Sequence, residues 1–132
     1  MSETRPPFMF WAIAVVGVLW NFIGCWNYIL QTNPEAVAQM PEVYRFVVEN
    51  RPSWATAAFA ISVYGGAVGC ILMLLRRRVA LALLIISLLG SIMIFYFSFR
   101  VLGIEPATAS ALLMSIGLVW FAQLAMRKGW LA

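Results

Sequence analysis

The sequence predicts an all-α, polytopic membrane protein: four transmembrane helices in a bundle, with a short amphipathic helix between the first and second. First, 64% of the 132 residues are hydrophobic and 11% are charged, whereas a soluble domain is about half apolar and about a quarter charged. Second, the apolar residues form blocks long enough to cross a bilayer core, which takes about 20 helical residues. Third, no block contains Asp, Glu, Lys or Arg, which are costly in mid-membrane. These blocks, at 8–30, 53–75, 79–98 and 107–126, make up one domain that covers residues 1–132.

The first block is expected to stay in the mature protein as a helix. Its run of more than twenty apolar residues exceeds the apolar core of a secretory signal peptide, which is about 7–15 residues long. It contains Cys25, and the second block contains Cys70. The depths of these two cysteines differ by about 15–20 Å, whereas a disulfide needs Cα atoms within about 7 Å. Two free thiols are therefore expected.

The connection between the first two blocks carries helix signals of its own. Asn33 followed by Pro34 reads as an N-cap and a first-turn proline, and Pro41 restarts the pattern. Beyond Pro41, the sequence predicts a short amphipathic helix with pairing charges, which is either a solvated loop helix or a functional lid. Its apolar face holds Val43, Phe46 and Val47, and its charged face holds Glu42, Arg45 and Glu49.

Basic residues predict the orientation of the four spans. Arg76, Arg77 and Arg78 lie between the second and third blocks, and Arg127 and Lys128 follow the fourth. With four spans these residues fall on the same side as Arg5 and the amino terminus, and an excess of Lys and Arg marks the cytoplasmic side. The prediction is a bacterial inner-membrane protein with both termini in the cytoplasm. Topology anchors account for the net charge of +4, so nucleic acid is not an expected partner.

The candidate functional residues are polar or small side chains within the four blocks. Two interpretations are open: a packing seam, because small residues let helices approach closely in lipid, or a polar pocket in which Asn21 faces Ser62 and Tyr64. The first block contributes Trp20, Asn21, Gly24, Asn27 and Tyr28; the second Ser62, Tyr64 and Gly65; the third Ser91; and the fourth Ser115.

The chain lacks the residue types that most catalytic mechanisms require. The chain has no His, which removes the commonest metal ligand and general base. The four blocks hold no carboxylate, which proton-coupled transport usually uses. We therefore expect no enzyme activity, no metal and no cofactor.

Several motifs resemble those of small bacterial four-helix membrane proteins that often carry the label of a sugar transporter. The resemblance rests on Trp20-Asn21-x-x-Gly24-x-x-Asn27-Tyr28, on the run from Pro52 to Ala57, and on Tyr64-Gly65-Gly66 before the arginines. It covers most of the chain and carries over no catalytic or binding residue. If it extends to function, it implies a sugar-facing set of Trp20, Asn21, Asn27, Tyr28 and Tyr64.

Two functions fit these residues. The first is a non-enzymatic bundle that acts through packing, as an accessory subunit or a homo-oligomer in the lipid bilayer. The second is a small-solute carrier, which would need to oligomerise because four helices enclose little volume and carrier sites lie between repeats.

Overall fold

The computed structural model describes residues 6–103 and 106–131. Among these residues, four helices are long and apolar enough to cross a membrane, and two short helices lie between the first and second of them. This confirms the predicted all-α fold with four spans, and the protein is a multi-pass membrane protein. The helices are α1 (Phe8–Gln31), α2 (Pro34–Ala38), α3 (Glu42–Glu49), α4 (Ser53–Leu74), α5 (Val79–Leu102) and α6 (Pro106–Arg127).

The third span is longer than the sequence predicts. That prediction ended the span at residue 98, before Arg100, but α5 continues for a further turn to Leu102. A cation is favourable in the last turn of a helix, and the Arg100 guanidinium donates to the Tyr96 hydroxyl at 2.8 Å. The helix ends at Gly103, whose φ of 77° suits glycine. Helix α4 ends one residue earlier than predicted, at Leu74.

The connection between α1 and α4 folds as two short helices. The Asn33 side chain caps α2 by accepting a hydrogen bond from the Glu35 backbone N–H at 2.9 Å, as its position before Pro34 predicts. Val47 of α3 is buried, so this segment packs onto the bundle. The predicted pairing of Arg45 with Glu42 and Glu49 is wrong, because the Arg45 guanidinium reaches back to the Ala38 carbonyl at 3.1 Å and ties α3 to α2.

The spans pack in the order α1, α4, α5, α6, each against the next. We call the end that carries α2 and α3 the loop end, and the opposite end the arginine end. The predicted topology anchors Arg76, Arg77, Arg78, Arg127 and Lys128 all lie at the arginine end, since α4 and α6 end there and α5 begins there. Arg5, which was counted with them, lies outside the described residues.

Aromatic side chains join α1 to α6 at the arginine end. Phe10 is fully buried, and its ring centroid lies 5.9 Å from that of Phe121 and 5.7 Å from that of Trp130. The Arg76 Nε–H donates to the Trp130 carbonyl at 2.7 Å, which fixes the segment after α6 against the α4–α5 turn. This end of the bundle is therefore closed by packed side chains.

Candidate functional site

Asn21 fixes the contact between α1 and α4. Its amide Nδ2 donates to the Gly17 carbonyl at 2.8 Å and lies 3.8 Å from the Cys70 sulfur. Its Oδ1 lies against Gly66, where an added Cβ would overlap with it. A mid-membrane amide needs partners within the protein. Asn21 finds them because Gly66 carries no side chain.

Glycines bring the spans together on both sides of α4. A Cβ at Gly24 of α1 would lie 2.7 Å from the Val63 side chain, and one at Gly69 of α4 would lie 2.9 Å from Leu84 of α5. Gly65 has more room, with its nearest neighbour, Ser87, at 3.5 Å. Close approach through small residues is how helices associate in lipid. The predicted small-residue seam is therefore used for packing inside one chain.

Serine hydroxyls link α4, α5 and α6 at mid-depth. The Ser91 hydroxyl is fully buried and lies 2.6 Å from the Ser62 hydroxyl and 2.8 Å from the Ser115 hydroxyl. The Ser87 hydroxyl donates to the Ser62 carbonyl at 2.5 Å. Each hydroxyl can donate once and accept twice, so these groups satisfy one another. Ser62, Ser91 and Ser115 are predicted site residues, and the hydrogen bonds that link them depend on how the helices pack.

A cavity of about 680 Å³ lies in the loop-end half of the bundle. Its walls come from the loop-end halves of α1, α4 and α5, the first half of α6, and α3. Mostly apolar side chains line it, such as Ile23, Val47 and Ile94. The predicted candidates Trp20, Asn21, Gly24, Asn27, Ser62 and Ser115 are part of the lining. The seam and the pocket are thus not exclusive, since Asn21 and Ser62 belong to both.

The other predicted residues lie outside this cavity. Tyr64 is predicted to face Asn21 beside Ser62, but it is 41% exposed, and its ring packs in a T-shaped arrangement with that of Tyr28 at a centroid distance of 5.6 Å. The reason is helical geometry: two residues along a helix turn the side chain by about 200°. Tyr28, Gly65 and Ser91 are likewise not among the lining residues; Ser91 lies fully buried behind Ser62.

Arg51 lines the cavity but is not among the site residues predicted from the sequence. Its Nη2 donates to the Gln31 side-chain oxygen at 2.6 Å, and its guanidinium lies 5.2 Å from the Phe59 ring centroid. Its Nε is buried without a partner. Burial lowers the pKa of the Arg51 guanidinium, because it disfavours the charged form. In the sequence Arg51 is marked only by its position directly before Pro52, the N-cap of α4.

The lining therefore combines an apolar wall with three side-chain amides, five serine and threonine hydroxyls, the Tyr44 phenol, an indole and one guanidinium. Such a site can bind a molecule by apolar contact, hydrogen bonding and charge. No protein-family model, curated protein or solved structure matches this chain. The resemblance to small four-helix membrane proteins stays a prediction.

Proposed function

We propose that this protein is a non-enzymatic membrane protein that binds a small molecule in its loop-end cavity, as a small-solute carrier does. The observation that carries the proposal is the cavity itself. Its volume of about 680 Å³ lies within the range of about 300–1,000 Å³ that is typical of ligand sites. Trp20, Asn21 and Asn27 in its lining belong to the set that the resemblance implies would face a bound solute.

One chain by itself offers access from one side. The cavity lies at the loop end, and Phe10, Phe121 and Trp130 fill the arginine end. Carriers generally place their site between repeats, which rock to open either side. We therefore propose that transport needs a second copy of the chain or another membrane protein.

An accessory subunit that acts through packing is the second candidate. It is favoured by Gly117, which is exposed on α6 and has no atom within 4 Å of a Cβ built there. A small residue on a lipid-facing surface lets another helix approach. In either role we propose a bacterial inner membrane, with the arginine end in the cytoplasm.

Filling the cavity tests the proposal. Ala111 lines the cavity on α6, so Ala111→Trp is expected to exclude the bound molecule while leaving the four spans in place. Wild type and variant are purified in mild detergent, and the small molecules that they retain are compared by mass spectrometry. We expect at least one compound to be retained by the wild type and reduced about tenfold or more in the variant.

Leu113→Trp is the matched control. Leu113 lies two residues from Ala111 on the same helix and is 69% exposed, so its replacement adds an indole outside the cavity. Circular dichroism and thermal unfolding show whether both variants keep the wild-type fold. If wild type, Ala111→Trp and Leu113→Trp retain the same compounds in the same amounts, the cavity is not a binding site.

A further inference from the structure

A single guanidinium lies at the loop-end side of the cavity, held in place by two neutral neighbours. The Arg51 Nη2 donates to the Gln31 side-chain oxygen at 2.6 Å. The guanidinium also lies over the Phe59 ring, with its carbon 5.2 Å from the ring centroid. A cation over an aromatic face is attracted by the ring quadrupole. These contacts orient the guanidinium without neutralising its charge.

The Arg51 cation is short of acceptors. Its Nε–H is buried and has no hydrogen-bond partner. Arginine stays protonated in proteins and offers five N–H groups in a planar fork that matches carboxylate and phosphate. A buried donor without an acceptor is costly, and burial lowers the pKa of Arg51, as expected of a desolvated cation. An anion placed beside Arg51 would satisfy both the charge and the orphan N–H.

The rest of the lining decides what the anion is attached to. Away from Arg51 most of the wall is apolar, with Ile23, Val63 and Ile94 among its residues. Neutral polar side chains, such as those of Asn21, Ser62 and Ser115, are interspersed in it. Burial against the apolar part of this wall favours an apolar chain and not a small hydrated anion. The cavity therefore carries the Arg51 cation at its loop-end side and has a mainly apolar wall with neutral polar groups beyond it.

We propose that the loop-end cavity binds an amphiphile with one carboxylate or phosphate group, which Arg51 receives, and an apolar body, which occupies the cavity. This inference rests on the proposed function and names the class of ligand. The anionic group could belong to a membrane-soluble amphiphile or to a free ion, and the apolar walls favour the amphiphile.

Native mass spectrometry in a non-ionic detergent tests the inference with three probes: dodecyl phosphate, dodecanol and inorganic phosphate. We expect the wild type to bind one dodecyl phosphate per chain, about tenfold or more tightly than dodecanol, because hydrogen bonds to charged groups are the stronger kind. The Arg51→Gln variant is expected to lose this preference and to bind dodecyl phosphate and dodecanol equally tightly. Inorganic phosphate is expected neither to bind nor to compete.

Arg100→Gln is the matched control, because Arg100 is an exposed cation of the loop end whose partner is Tyr96. It is expected to bind as the wild type does. Arg51→Lys keeps the positive charge but lacks the planar guanidinium, so its preference for dodecyl phosphate over dodecanol is expected to be smaller than that of the wild type. This variant provides the test if Arg51→Gln does not fold. Equal binding of dodecyl phosphate and dodecanol by the wild type overturns the role of Arg51 but leaves the proposed function standing. If inorganic phosphate competes with dodecyl phosphate, the site binds a free anion and the proposal of an amphiphilic ligand is wrong. If neither dodecyl phosphate nor dodecanol binds, the cavity does not bind amphiphiles.

Discussion

Phe10→Ala is expected to lower the free energy of unfolding by about 3 kcal/mol and to loosen the arginine end. Phe10 is fully buried and its ring contacts Trp11, Phe121 and Trp130. Truncating a buried Phe costs about 3–5 kcal/mol in soluble cores, through lost contacts and the void left behind. The lower value applies because lipid supplies no hydrophobic drive between helices. Reversible unfolding in mixed detergent micelles measures the change.

Phe8→Ala is the control for this prediction. Phe8 lies two residues earlier on α1 and is 85% exposed, so its loss removes the same side chain from the helix surface. We expect a change within about 0.5 kcal/mol. Similar losses in the two variants would show that Phe10 does not hold α1 against α6.

Gly90→Ala is expected to destabilise the protein by about 1–3 kcal/mol, the usual cost of overpacking. A Cβ at Gly90 would lie 2.7 Å from the Ala58 carbonyl oxygen and 2.9 Å from the Ser62 backbone nitrogen. Backbone atoms cannot rotate away as a side chain can, so α4 and α5 must separate. The separation would also strain the hydrogen bond between the Ser62 and Ser91 hydroxyls. The thermal unfolding midpoint in detergent is the measurement.

Gly117→Ala provides the comparison for Gly90→Ala. Gly117 lies within α6, and an added Cβ meets no atom within 4 Å. Alanine favours the helix by up to about 1 kcal/mol over glycine, so we expect this variant to be as stable as the wild type or slightly more so. If Gly90→Ala leaves the thermal unfolding midpoint unchanged as well, α4 and α5 do not approach each other closely at Gly90.

The spans were predictable because a bilayer imposes one requirement on every helix that crosses it. Long apolar runs without charge can satisfy their backbone groups only as helices, and α1, α4, α5 and α6 follow the four runs closely. The errors lie at the ends. The charge of Arg100 led to a predicted end of the third span before it. A cation is favourable in the last turn of a helix, and α5 continues past Arg100 to Leu102.

The candidate site was predictable by residue type but not by direction. A mid-membrane Asn or Ser must find a partner, so Asn21, Ser62 and Ser115 could be named from the sequence. Tyr64 was grouped with them by depth alone, although its position on α4 turns it away from Ser62. Arg51 could not be found, because its role depends on how α3 and the start of α4 fold over the bundle. Local sequence does not encode that contact.

Cysteine accessibility tests most directly whether the bundle is open to water at the loop end and closed at the arginine end. In a background that carries Cys25→Ala and Cys70→Ala, single cysteines replace Asn27 and Ser115 of the cavity, Ala14 and Ala122 of the buried arginine-end core, and Ile86 of the lipid-facing surface. Each variant in lipid vesicles is treated with a membrane-impermeant methanethiosulfonate. We expect labelling at Asn27→Cys and Ser115→Cys, and protection at the other three positions. Protection of both cavity positions, to the level seen at Ile86→Cys, would contradict a water-accessible cavity, and labelling at Ala14→Cys or Ala122→Cys would contradict a closed arginine end.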